Sequence, residues 1–154
     1  MDYRVLGEGE LRRIVAVFDT GDDVIDGLNR VASEENLSAA SITAVGAVQK
    51  ATLGWYDIDA RTYRKNPVDE QAEVLSLIGD VAVGTDGKPA VHVHAVLGLR
   101  DGTTRGGHLL EGTVRPTLEV VLTESPAYLA KTYRPEVGLA LIDVDAQPKG
   151  SAND

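Results

Sequence analysis

The chain has 154 residues, no cysteine and a net charge of −9, from 15 Lys and Arg against 24 Asp and Glu. That length suits one domain, the missing cysteines exclude disulfides, thiolate metal sites and cysteine nucleophiles, and the acidity disfavours direct DNA binding, which rests largely on neutralising phosphates. No apolar run approaches the roughly 20 residues that span a bilayer, and no basic head precedes an apolar stretch at the N-terminus, so a cytoplasmic protein without membrane association is expected.

The stretch "YRVLGEGELRRIVAVF" predicts two strands broken at Gly7 and Gly9, the second alternating around Ile14, Ala16 and Phe18. "DTGDDVIDGLNRVASEENL" predicts a helix. Thr20 and Asp23 have the spacing of a capping box, and Val24, Ile25, Leu28, Val31 and Ala32 share one face, as on an amphipathic helix lying on a sheet. "SAASITAVGAVQKATLGWYDI" is β-branched and apolar, a long strand or a bent pair interrupted at Gly46 and Gly54. "DARTYRKNPVDEQ" reads as a polar connection with a short strand at Thr62 to Arg64. "AEVLSLIGDVAV" and "VHVHAVLGL" follow as strands, and "TTRGGHLLEGTV" and "TLEVVLTE" as two more. "SPAYLAKTY" predicts a short helical turn and "VGLALIDVD" a last strand.

At least seven strands and one helix, without regular alternation, argue for an α+β fold: a mainly antiparallel or mixed β-sheet with one principal amphipathic helix packed on it. Residues 1–145 are expected as a single domain, with 146–154 ("AQPKGSAND") as a flexible tail.

All three histidines fall within twenty residues, at His92, His94 and His108. Alternate side chains of a strand share a face, so His92 and His94 project together with Cα atoms about 6.5–7 Å apart. Val91, Val93 and Ala95 then point to the core. Asp101-Gly102 signals a hairpin. With those two residues at its tip, a regular ladder sets His108 across from Ala95, on the wrong face. A one-residue bulge at Gly106-Gly107 would correct this, and so would a longer loop around Asp101. Three neutral imidazoles with an open position make a catalytic-type site for a divalent transition metal, zinc first, with nickel, cobalt and iron(II) as alternatives. Local hydrogen bonding of one or two of these histidines is the competing reading. The "GGH" on the return strand of the same hairpin favours the metal. No Gly-x-Gly-x-x-Gly or Gly-Lys-Ser/Thr pattern leads into a helix, which excludes a nucleotide-binding loop. A Ser-His-Asp hydrolase is disfavoured, because a metal would occupy every imidazole.

His92-x-His94, Gly106-Gly107-His108-Leu109 and Thr117-x-Glu119-Val120, with "GDD" (21–23), "AVGAVQKATLG" (44–54) and "EVLSLIG" (73–79), resemble the plants and prokaryotes conserved (PPC) domain family over about residues 3 to 144. The resemblance implies an α+β fold with one principal helix on an antiparallel sheet, similar to that of acetolactate decarboxylase. It also implies a homotrimer, and a metal site built by His92, His94 and His108. Glu119 matches the family motif and is a candidate catalytic or metal-orienting carboxylate; Glu73 is a second candidate. The function expected is binding or transformation of a small molecule at the metal, with lyase- or hydrolase-like chemistry if the protein is an enzyme. A DNA-associated regulatory module, the label many family members carry, is one alternative; a structural trimer stabilised by its metal is another. This chain has no Arg-Gly-Arg-Pro AT-hook.

Overall fold

A computed structural model describes residues 1–6 and 12–146. Gly7 and Gly9, the expected strand break, and residues 147–154 of the expected tail lie outside the described residues. The described residues form nine strands and one helix. The strands are β1 (Asp2–Leu6), β2 (Arg13–Asp19), β3 (Ala39–Asp57), β4 (Thr62–Val68), β5 (Ala72–Val83), β6 (Pro89–Gly98), β7 (Thr104–Glu124), β8 (Ala130–Arg134) and β9 (Leu139–Asp143), and the helix is α1 (Val24–Glu34).

They make one sheet in the order β1-β2-β7-β3-β5-β8-β9. Pairing is antiparallel except between β5 and β8. β4 pairs with the second half of β3, and β6 joins β5 to the start of β7. β3, β5, β6 and β7 therefore pair in a closed circuit, which gives the sheet an inside and an outside. The inside is the core. Ile14, Phe18, Leu28, Leu97, Leu118 and Leu122 are fully buried there, as the expected alternation on β2 requires.

α1 lies against β6 and β7. Val24, Leu28, Val31 and Ala32 are buried, while Ile25 is only partly so. The N-cap lies three residues after the capping position the predicted box gives to Thr20. Asp23 is the N-cap, its carboxylate accepting from the Asp26 N–H at 2.9 Å. Thr20 instead donates to the Pro116 carbonyl at 3.1 Å. At the other end Asn36 takes φ 53°, the Leu37 N–H reaches the Ala32 carbonyl at 2.9 Å and the Asn36 N–H the Ser33 carbonyl at 3.2 Å, a Schellman stop.

Three expectations change. "TTRGGHLLEGTV" and "TLEVVLTE" are one 21-residue strand, β7. Pro116 does not end it, because the β3 register shifts between the Val48–Val114 and Gly46–Leu118 pairs, so β3 makes no ladder pair with residues 115–117. The short strand at Thr62 to Arg64 extends to Val68 against β3. "SPAYLAKTY" holds no helical turn: its residues 130–133 begin β8, which pairs with β9.

The long strand β3 passes through Gly46, where the pairing with both β5 and β7 shifts. A Cβ on Gly46 would strike the Thr117 carbonyl oxygen and come within 2.7 Å of the Leu118 Cα, and φ is +150°. Backbone cannot swing aside as a side chain can. Gly46→Ala is expected to destabilise the fold by about 1–3 kcal/mol, read as a lower urea midpoint with an unchanged m-value; an unchanged midpoint would show that β7 yields at this crossing.

Candidate metal centre

Between β6 and β7 the pairs run from Gly98–Thr104 to His94–His108 without a shift. Five residues, 99–103, form the loop. The Leu99 N–H bonds the Thr103 carbonyl at 2.8 Å, and Asp101 accepts from the Thr103 N–H at 2.9 Å. The longer loop, not a bulge at Gly106-Gly107, thus brings His108 onto the face of His92 and His94. Gly107 serves another purpose: a Cβ there would lie 2.8 Å from the Gly54 carbonyl oxygen of β3, the strand that pairs His108 on its other side. Val93 and Ala95 are buried on the opposite face, and Val91 packs partly buried against the core, as the alternation requires.

The three imidazoles offer one nitrogen each, all within 4.8 Å of one another. Among the described residues they form the one such group of histidines and carboxylates. His92 Nε2 and His94 Nε2 are 3.2 Å apart, close to the roughly 3.3 Å that two ligands subtend on a tetrahedral zinc at 2.0–2.1 Å. The His108 ring stacks on His92 at 5.1 Å and lies edge-on to His94 at 5.2 Å. Its buried Nδ1 has no hydrogen-bond partner among the described residues, a cost that a cation held in the cluster would relieve. The donor set fits a divalent transition metal.

Asp80 of β5, opposite His92 in the ladder, completes the arrangement. Its Oδ2 lies 3.2 Å from His92 Nδ1. A carboxylate only accepts, so Nδ1 carries the proton and Nε2 presents its lone pair to the other histidines. Lys131 of β8 stands 3.7 Å from the other carboxylate oxygen. Burial alone would raise the Asp80 carboxyl, but the His92 hydrogen bond and the Lys131 ammonium outweigh it and hold it below the usual carboxylate range. Burial, then the neighbouring imidazoles, pushes His108 down to about 4 and lowers His94 as well. Both are neutral donors at neutral pH.

A cleft of about 480 Å³ opens onto His92 and His108. Tyr63, its ring 4.8 Å from that of His108, lines one side, and β9 lines the other.

The two candidate carboxylates stand elsewhere. Glu119 is exposed, pairs with Val17 and Val45, and lies eleven residues along β7 from His108. Glu73, also exposed, faces Gly98 at the far end of β5 from Asp80. Neither joins the histidine cluster within one chain. Reading the sequence missed Asp80, although a lone carboxylate inside the apolar "SLIGDVAV" was a signal. Lys131 had none, since its segment read as helical.

The family model for the Plants and Prokaryotes Conserved (PCC) domain matches residues 6–126. The chain belongs to this family. A metal-containing protein from Archaeoglobus fulgidus is similar at 32% identity and TM-score 0.78, over 92% of this chain and 96% of that one. A plant- and prokaryote-conserved protein from Pyrococcus horikoshii is similar at 26% identity and TM-score 0.80, over 92% and 94%. The likeness in fold extends to alpha-acetolactate decarboxylase from Bacillus subtilis, at 11% identity and TM-score 0.57, over 86% of this chain and 60% of that one. A curated relative, the bifunctional protein GlmU of a Synechococcus strain, is 34% identical over 125 residues; these cover 80% of this chain but only 19% of that protein's length.

Two outcomes follow from the geometry. Asp80→Ala removes the acceptor that fixes the His92 tautomer and should weaken metal affinity about 10- to 100-fold in a competition titration with a chromophoric chelator; unchanged affinity would leave Asp80 a bystander. The depressed His108 makes the folded chain bind fewer protons than the unfolded one between pH 6.5 and about 4. The stability this represents is present above pH 6.5 and lost as pH falls toward 4. Denaturant titrations of metal-free protein should lose about 1–2 kcal/mol across that window, after allowance for solvent screening of a half-buried ring, and His108→Gln should flatten the profile.

Proposed function

We propose that the protein holds a divalent transition metal, zinc in the first instance, on His92, His94 and His108, and binds or transforms a small molecule there. The observation that carries this reading is the convergence of three imidazole nitrogens within 4.8 Å, one of them oriented by Asp80. The metal would supply a Lewis acid at positions the protein does not fill. The chain's own contribution is to keep the donors neutral, to fix the His92 ring through Asp80, and to wall the centre with Tyr63 and β9. The metal-containing relative supports the reading, and lyase- or hydrolase-like chemistry suits an open three-histidine centre. A cytoplasmic location is part of the same proposal and agrees with a cysteine-free chain. None of the described helices is long and apolar enough to cross a membrane.

We further propose the homotrimer. On the outer face of the sheet Val17, Val45, Ile78, Val96 and Val121 are all exposed, and the ladders place them in adjoining rows beside His94. A continuous apolar face of this kind suits coverage by further copies of the chain. Glu119 sits in the same rows, paired with Val17 and Val45, so assembly decides whether it and Glu73 act near a metal.

Elemental analysis of tag-free protein purified without chelator is expected to find about one transition-metal ion per chain, and His94→Ala to lose it. No metal, and no uptake of zinc, nickel or cobalt, would overturn the reading. Sedimentation should give three times the 16.4 kDa chain mass, and Val45→Lys should shift it to the monomer; a monomeric wild type would overturn the trimer.

A further inference from the structure

The family match ends at residue 126, yet half of the cleft beside the histidines is built from residues beyond it. Lys131, Leu139, Ala140, Leu141 and Ile142 line it, all from the β8–β9 hairpin. The hairpin is tied down at both ends. Next to its start the Val83 N–H donates to the Leu129 carbonyl at 2.8 Å, beside the single β5–β8 pair, Val83–Ala130. Near its turn the Tyr56 hydroxyl donates to the Val137 carbonyl at 2.8 Å. It is a fixed wall rather than a lid.

The wall is also chemically one-sided. Four of its five residues are aliphatic. Its cation, Lys131, stands against Asp80 and donates to the Ala90 carbonyl at 3.4 Å, so it is committed to the protein. Among the described residues no other Lys or Arg lines the cleft. Apart from the metal itself, a phosphorylated compound would find no uncommitted cation among the lining residues, whereas a hydrocarbon arm would find Leu139, Leu141 and Ile142 lining the same cleft as the histidines.

We infer that the β8–β9 hairpin selects the ligand of this site, and that the ligand class is an unphosphorylated organic compound with an oxygen-donor head for the metal and a short hydrocarbon arm lying against Leu139, Leu141 and Ile142. This rests on the metal reading above. Leu141 and Ile142 are 44% and 38% exposed, so both can be changed without opening the core.

The test uses the full chain loaded with cobalt(II) and a series of straight-chain hydroxamates from acetohydroxamate upward, titrated by the cobalt visible spectrum. Each added methylene should tighten binding about four-fold until the cleft is filled. Leu141→Ser combined with Ile142→Ser should abolish that gain with chain length, while the cobalt spectrum still reports a loaded site. A dissociation constant independent of chain length overturns the inference and leaves the metal reading standing. So does a gain that survives the double substitution. Failure of cobalt to bind, seen as the absence of its spectrum, overturns both.

Discussion

The pairing of His94 with His108 is the constraint on which the rest of the site depends. Side chains alternate across a strand, so a slip of one residue would send His108 into the core and Leu109 to the cluster. The five-residue loop 99–103 sets that register, with Asp101 folding the loop back on the Thr103 N–H and hydroxyl. β7 is held on its other edge by β3, where Gly54 faces His108. The position of the third imidazole is thus specified from both sides, and Gly107 is what lets the strands come that close.

Around that pair, charge is arranged so that the donors stay donors. A carboxylate beside three imidazoles would ordinarily draw protons onto them. Here Asp80 engages only Nδ1 of His92, and Lys131 balances its other oxygen. Burial keeps His108 unprotonated. The hairpin that brings Lys131 also brings the aliphatic wall of the cleft, so one element serves both the electrostatics of the centre and the shape of the space beside it.

Much of this was legible in the chain. Period-two alternation marked β2 and β6, the apolar stripe marked α1, and His-x-His with Gly-Gly-His marked the cluster. What misled were local signals that tertiary pairing overrides. Arg115 and Pro116 separate the two expected strands, but they fall where β7 makes no ladder pair with β3. "SPAYLAKTY" has the spacing of a helical turn, but its residues from Ala130 onward find a ladder partner in β9. Thr20 and Asp23 have capping spacing, and the chain uses Asp23 alone as the cap.

The sequence by itself determined the fold class, the family and the three histidines, because alternation, helical periodicity and motif spacing are local properties of the chain. Only the tertiary structure decided which loop length set the hairpin register, that Asp80 and not Glu119 or Glu73 meets the histidines within a chain, and that β8 and β9 wall the cleft. The contacts that place Asp80 and the β8–β9 wall join residues from 12 to 81 positions apart. They depend on how the circuit of β3, β5, β6 and β7 closes, which no local pattern records.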